Sequence, residues 1–260
     1  MMRQGARTAS SVGRRTTKRS AQTASTKTDL RSRLIRSLRN QGFRIRNGAV
    51  LPPRELSKER IRELHQTAVC HRIDRAKEGL IRKEKDLLQH FAIGSEVSPL
   101  EVSPRLVEVL PDTDDELLFR YASLHWSIPV SSGYGRRLRF LVVDEQNDKL
   151  IGLIGLGDPV YSLGPRDEWI GWTPSDRKKR LGNVMDAFVL GAVPPYSFLL
   201  CGKLVAMLVA SDTVRHAFKR KYGGARSLIR RKVHDGRLAL ITTTSALGRS
   251  SVYTLSLIHI

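Results

Sequence analysis

Acidic residues are nearly missing from the start of this 260-residue chain: residues 1–50 hold one acid, Asp29, against 13 Lys and Arg. Of the formal charge of +20, the head therefore carries +12, and the remainder, 32 bases against 24 acids, carries +8. Cysteine is almost as scarce. The two present, Cys70 and Cys201, lie in half-apolar, helix-like contexts and offer neither a disulfide framework nor a thiolate metal site, which fits a reducing cytoplasm. Long apolar runs are lacking too. The longest, residues 187–210, is interrupted by Pro194-Pro195 and Lys203, so it reads as a buried strand followed by a helix and not as a membrane span. The head has no apolar core and so cannot be a secretory signal, although an Arg-rich, acid-poor segment also suits an organelle transit peptide. These absences exclude a secreted, disulfide-held domain and leave a soluble, cytoplasmic, strongly basic protein of pI about 10.7.

Before Leu30 the head is Arg, Lys, Ser, Thr and Gln with few apolar residues. Such a segment cannot bury enough surface to offset the entropy of ordering it, so residues 1–28 are expected to be a disordered basic arm. The simplest partner for an arm of this charge is nucleic acid, by release of counterions from phosphates. A solvated tail and an acidic lipid surface are the alternatives.

Beyond the arm, Asp29 can cap a short helix with Leu30, Leu34, Ile35 and Leu38 on one face, ending at Gly42. Pro52-Pro53 breaks the chain, and Ser57 caps a longer helical region reaching about His90, with Gly79 as a break. Residues 29–112 thus read as a helical N-terminal part closed by a linker containing Pro99, Pro104 and Pro111. Asp114, Asp115 and Glu116 favour the start of a third helix running to Trp126.

The pattern then changes, and residues 113–254 read as a mixed α/β domain. Arg139–Val143 and Leu150–Leu156 are strands joined by the turn-forming Gln146-Asn147-Asp148. Thr173-Pro-Ser-Asp176 is a capping box with Pro at the first helical position, so 174–183 should be helical. Strand Ala187–Val193, an apolar helix 198–211, a helix 212–222 ended by Gly223-Gly224, and strand Leu238–Thr244 follow. The fold class is α/β.

Four passages carry a family resemblance: Trp126-Ser-Ile-Pro-Val-Ser-Ser-Gly-Tyr-Gly-Arg-Arg-Leu-Arg-Phe140, Gly157-Asp-Pro-Val160, Arg166-Asp-Glu-Trp-Ile-Gly-Trp172 and Gly191-Ala-Val-Pro-Pro-Tyr196. Together they resemble the DruA-like family, named after a component of the Druantia anti-phage defence system, over about Asp29 to Tyr253. The resemblance implies an anti-phage or mobile-element context, with other defence-system or transposase proteins as partners, and no established reaction.

The element order also resembles the Gcn5-related N-acyltransferase topology. In that family a helix N-terminus holds the coenzyme A pyrophosphate through a glycine-rich loop. The corresponding passage here, Ser197-Phe-Leu-Leu-Cys-Gly202-Lys203, matches only at Gly202, and Leu200 stands where the first glycine belongs. Tyr253, after Ser245-Ala-Leu-Gly-Arg-Ser-Ser-Val, falls where those folds place a tyrosine near the donor sulfur. An acyltransferase using acyl-CoA through an atypical loop is the alternative function; the leading reading requires no cofactor.

For nucleic-acid binding, the candidates begin with Arg136, Arg137 and Arg139 beside Gly133-Tyr134-Gly135. Strand alternation puts Arg137 and Arg139 on one face and Arg136 on the other. They form a phosphate clamp with Tyr134 as a stacking ring, or one of them pairs with Asp144 or Asp158 inside the fold. Arg166, Lys203 and Arg249 are further candidates. Trp169 and Trp172 are expected as core anchors with a surface pair from Arg166 to Asp167 or Glu168, base stacking being the other reading. Arg177, Lys178 and Arg180 join Arg215, Lys219, Arg220, Lys221, Arg226, Arg230, Arg231 and Lys232 in a basic C-terminal surface. Asp144, Asp158, Asp167, Glu168 and Asp186 show no spacing that singles out a metal site, and neither do His65, Cys70 and His71. Ser245, Ser250 and Ser251 lack a neighbouring base.

At the end, Leu255-Ser-Leu-Ile-His-Ile260 reads as a translated sequencing-adapter end, which would make the natural protein C-terminally truncated here. A genuine apolar strand is the alternative.

Overall fold

The computed structural model describes residues 29–54, 57–126, 135–226, 233–245 and 252. The expected arm 1–28, the stretch around Tyr134, the cluster Arg230 to Lys232, Arg249, Tyr253 and the segment 255–260 lie outside the described residues. The chain divides into two units between Arg60 and Ile61, well before the expected boundary at 112.

In the first unit, residues 29–40 form helix α1. It ends because Gly42 takes a left-handed conformation (φ 86°), which lets Gly42 N–H reach the Arg39 carbonyl at 2.9 Å and Phe43 N–H the Leu38 carbonyl at 3.0 Å, a Schellman closure. Arg31, Arg33, Arg36 and Arg39 are all exposed. Leu30 and Leu34 are exposed as well. A hairpin follows, β1 (Arg44–Arg46) and β2 (Ala49–Leu51), paired antiparallel about Asn47 and Gly48. Both turn residues have positive φ, the geometry of the Asn-Gly hairpin turn. Residues 29–112 are therefore not wholly helical.

At the end of the first unit Ser57 Oγ accepts from Arg60 N–H at 3.2 Å; α2 runs Lys58–Leu80, most of it in the second unit, and ends beside Gly79. Short α3 (Glu84–Leu88) follows. The next strand, β3 (Pro104–Glu108), occupies the stretch expected to be linker. Its proline stands first on an edge strand, where a missing N–H costs no ladder bond. Helix α4 (Asp114–Ser123) is capped by Thr113, whose side chain accepts from Glu116 N–H. Then come β4 (Arg137–Asp144), β5 (Lys149–Gly157), α5 (Gly164–Ile170), α6 (Pro174–Arg180), β6 (Val184–Ala192), α7 (Cys201–Leu208), α8 (Asp212–Tyr222) and β7 (Leu240–Thr243).

The sheet order is β3-β4-β5-β6-β7. The first three pairs are antiparallel and β6–β7 is parallel, so the fold is α/β with a mixed five-stranded sheet. Alternation along β4 sets the layers. Leu138, Phe140 and Val142 join Ile154, Leu156, Met185, Val205 and Phe218 on the α7–α8 side. Leu141 and Val143 join Leu153, Val189, Leu118 and Phe119 on the α2–α4 side. The β4–β5 turn is pinned by a buried set: Tyr196 O–H donates to Asp144 at 2.8 Å, and the other Asp144 oxygen accepts the Ser103 N–H at 2.9 Å. Burial and the neighbouring Asp144 charge raise the Tyr196 phenol well above its ordinary value, while the Asn147 hydrogen bond pulls the other way. Among the described residues no helix is long and apolar enough to cross a membrane.

Candidate functional site

Because Arg137 and Arg139 share the parity of Leu141, they emerge on the α4 side of β4, at the sheet end where apolar packing stops. There they form the floor of a groove of about 820 Å³, walled by Arg72 of α2, by Asp112 just before α4, by Glu116, Phe119 and Arg120 of α4, and by Phe188 of β6. Phe188 reaches the groove through a bulge. Gly155 pairs with Val189 and Leu156 with Ala187, leaving Phe188 as an extra residue on its strand. Gly155 makes room for the ring: a Cβ there would stand 2.8 Å from Phe188 and 3.1 Å from Phe119.

Each floor arginine lies over an aromatic ring. The Arg137 guanidinium sits 5.0 Å from the Phe188 centroid and that of Arg139 5.8 Å from Phe119, within cation–π range. Arg139 also donates to Glu116 Oε1 at 2.6 Å, while Glu116 Oε2 accepts the Asp112 N–H at 2.8 Å. The Asp112 amide and then Arg139 hold the Glu116 carboxyl below the ordinary carboxylate range, so it stays ionised at neutral pH. Arg72 donates to the Trp126 carbonyl, and burial pulls the pKa of its guanidinium below the ordinary value. The groove thus combines fixed guanidiniums with aromatic faces, a surface suited to planar anions.

Arg136 has gone to the opposite face. Its Nε donates to Asp158 at 2.6 Å and its Nη2 to the Val184 carbonyl at 3.0 Å, with Nη1 on the Gly182 carbonyl. The guanidinium stands over Phe218 and Tyr222. His234 completes the cluster: its Nδ1 accepts the Gly236 N–H at 2.9 Å, which leaves the proton on Nε2 to meet the Gly182 carbonyl at 2.6 Å. Of the expected arginine clamp, then, Arg137 and Arg139 stay together and Arg136 ties the sheet to α8.

The remaining candidates separate further. Arg166 is buried, donating to Asp167 at 2.6 Å and to the Val160 carbonyl at 2.8 Å. Arg177 donates to the other Asp167 oxygen at 2.7 Å. This pair is interior, not at the surface as expected, and Trp169 is no core anchor: it is 82% exposed. Burial pushes the Asp167 carboxyl up, and the hydrogen bonds from Arg177 and Arg166 outweigh it, so the group sits below its ordinary value. Lys178, Arg180 and Lys203 are exposed. On α8, Arg220 reaches Glu108 and Lys221 the Arg137 carbonyl at 3.0 Å, while Arg215 and Lys219 face solvent.

The candidate carboxylates do not converge. Asp144 serves Tyr196, Asp158 serves Arg136, Asp167 joins α5 to α6, Asp186 accepts from Thr242 at 2.7 Å, and Glu168 is exposed. No group of three or more His, Cys, Asp or Glu that could hold a metal ion occurs among the described residues. Sequence reasoning missed Phe188, Phe119 and Glu116 as groove residues. The Gly155 opposite Phe188 was the one local signal, since a glycine inside a strand marks a bulge or a close approach.

Fold and site together define a basic α/β protein with an arginine-floored, aromatic-lined groove at one end of a mixed sheet. Residues 55–258 match the family described as Druantia protein DruA, and the chain belongs to that family. It is 47% identical over 225 residues to the Druantia protein DruA of Escherichia coli (strain UMEA 4076-1). That similarity covers 86% of this chain and 55% of the relative, so the chain spans little more than half of that protein's length. No solved structure matches.

Proposed function

We propose that this chain is a DNA-binding component of an anti-phage defence system, acting in the cytoplasm alongside other defence-system or transposase proteins. It engages phosphates of duplex DNA through the Arg-rich arm and the exposed bases of α6 and α8. The observation that carries this reading is the charge: +20 in all, with +12 in the first 50 residues. Its support from the fold is that Lys178, Lys179, Arg180, Arg215 and Lys219 are exposed, while Arg136, Arg166 and Arg177 are consumed by internal partners. Arg137 and Arg139 in the groove, Tyr134, Lys203 and Arg249 remain candidate contacts.

Fluorescence anisotropy of a labelled duplex tests it. With 6–10 phosphates engaged, affinity should fall by about 10³- to 10⁵-fold between 50 and 200 mM salt. Absence of binding at 50 mM salt sinks the reading.

A specific observation favours a second reading, an N-acyltransferase-like protein. The antiparallel run β3 to β6 and the parallel β6–β7 pair, with α7 and α8 between those strands in the chain, support it through element order. Against it stands Leu200, which holds a left-handed φ of 63° at the start of α7 and carries a side chain where close phosphate approach needs none. A melting point unmoved by millimolar acetyl-CoA removes the reading, because a ligand at about 100 times its dissociation constant adds roughly 2.7 kcal/mol.

A further inference from the structure

Helices α5 and α6 sit between two strands of the sheet in sequence, and their shared interior is ionic. Asp167 receives Arg166 on one oxygen and Arg177 on the other, at 2.6 and 2.7 Å. The Leu163 N–H adds to it at 3.3 Å. The link between the helices is short and geometrically fixed: Gly171 closes α5 in the left-handed region (φ 77°), and Thr173 and Asp176 form the reciprocal cap of α6. Each aromatic of this segment but one has a cation over its ring. Arg177 covers Tyr161 at 5.2 Å and Arg166 covers Trp172 at 5.9 Å. Trp169 has none among the described residues, and its indole is 82% exposed.

An exposed indole on a braced helix offers a large flat contact area, and its rotamer-poor side chain loses little entropy on binding. The charge of α6 says what that partner is. Its exposed end is Lys178, Lys179 and Arg180, and its one acid, Asp176, caps the helix and lies 3.8 Å from Arg180, leaving a net positive end. Cations on the helix that follows a bare aromatic face, the two helices being tied through Asp167 and Arg177, fit a polyanion that also offers flat rings, which is nucleic acid with exposed bases. Bases inside a duplex are stacked on both faces, so a rigid indole can reach only unpaired or terminal ones. Glu168, the exposed acid next to Trp169, disfavours close phosphate contact at the indole itself and leaves that role to α6.

We propose that α5 and α6 form a rigid platform on which Trp169 stacks against an unpaired base while the end of α6 meets the adjoining phosphates, so that the chain prefers DNA carrying a single-stranded segment. This rests on the DNA-binding reading above.

The test compares, by anisotropy of the full chain at one salt concentration, a blunt duplex with a duplex bearing a single-stranded overhang and the same number of phosphates. The wild-type chain should bind the overhang about tenfold more tightly, the range of one base stacked on an aromatic ring. Trp169→Ala should lose that preference and keep its blunt-duplex affinity, and Trp169→Phe should keep most of it. The overhang should quench indole emission in the wild type and not in Trp169→Phe. A Trp169→Ala chain that retains the preference, or a wild type that binds both duplexes equally, overturns the platform and leaves duplex binding standing, with the indole then free for a protein partner. A wild type that binds neither overturns both.

Discussion

Arg136 and Asp158 are joined twice: the guanidinium Nε donates to one carboxylate oxygen at 2.6 Å and the backbone N–H of the same arginine donates to the other at 2.9 Å. The ion pair therefore fixes where β4 begins, at Arg137, as well as where the arginine just before it points.

Replacing Arg136 by Ala removes these bonds together with its donation to the Val184 carbonyl, and leaves the Gly182 carbonyl to His234. The expected loss is about 2–4 kcal/mol, the range for breaking a partly buried charged pair. Arg136→Lys should recover little of it, because one ammonium cannot span a carboxylate and two carbonyls as the planar fork does. Urea midpoints of the two variants check this; an Arg136→Lys chain as stable as the wild type would refute the bracing role.

Gly155→Ala should destabilise by about 1–3 kcal/mol through overpacking, since the new methyl meets the Phe188 ring at 2.8 Å. The ring must swing, and Arg137, which lies over it, moves too. Duplex affinity measured beside the melting point separates the two effects. Unchanged stability would mean the groove floor yields freely.

Glu116 gives a signed pH dependence. Its carboxyl lies below the ordinary carboxylate range in the folded chain, through the Asp112 amide first and Arg139 next. A lowered folded pKa contributes stability that is present above the unfolded value and lost as pH falls through the folded one. Stability should therefore decline below about pH 4.5, and Glu116→Gln should be less stable at neutral pH while showing a shallower decline on the acid side. Parallel curves for the two chains between pH 3 and 6 would exclude this role.

Lys179→Ala and Arg180→Ala should each leave stability within about 0.5 kcal/mol, as for exposed residues generally, while lowering the salt slope of duplex binding by about one each. Arg166→Ala is the contrast: its guanidinium is buried on Asp167, so it should lower the melting point markedly. If Lys179→Ala and Arg180→Ala leave the slope unchanged, α6 is not part of the DNA surface.

What the sequence by itself determined follows from rules that act over a few residues. The β4–β5 hairpin was legible because its turn residues and strand formers are neighbours, and α6 because Thr173 and Asp176 cap each other three positions apart. The β1–β2 hairpin obeys the same kind of local rule, through the Asn47-Gly48 turn. Alternation alone put Arg136 on one face of β4 and Arg137 with Arg139 on the other. Only the tertiary structure decided what those faces meet. Strand β3, short and opened by Pro104, has no distinct local pattern and exists because β4 offers it an edge. Asp158 could claim Arg136, and Asp167 both Arg166 and Arg177, only when the fold brought them within hydrogen-bonding reach. Ionic pairing depends on distance in space, which no spacing along the chain records. Trp169 is exposed for the same reason: Arg166 and Asp167 took the interior of α5, and the helix's 3.6-residue period then left the indole facing water.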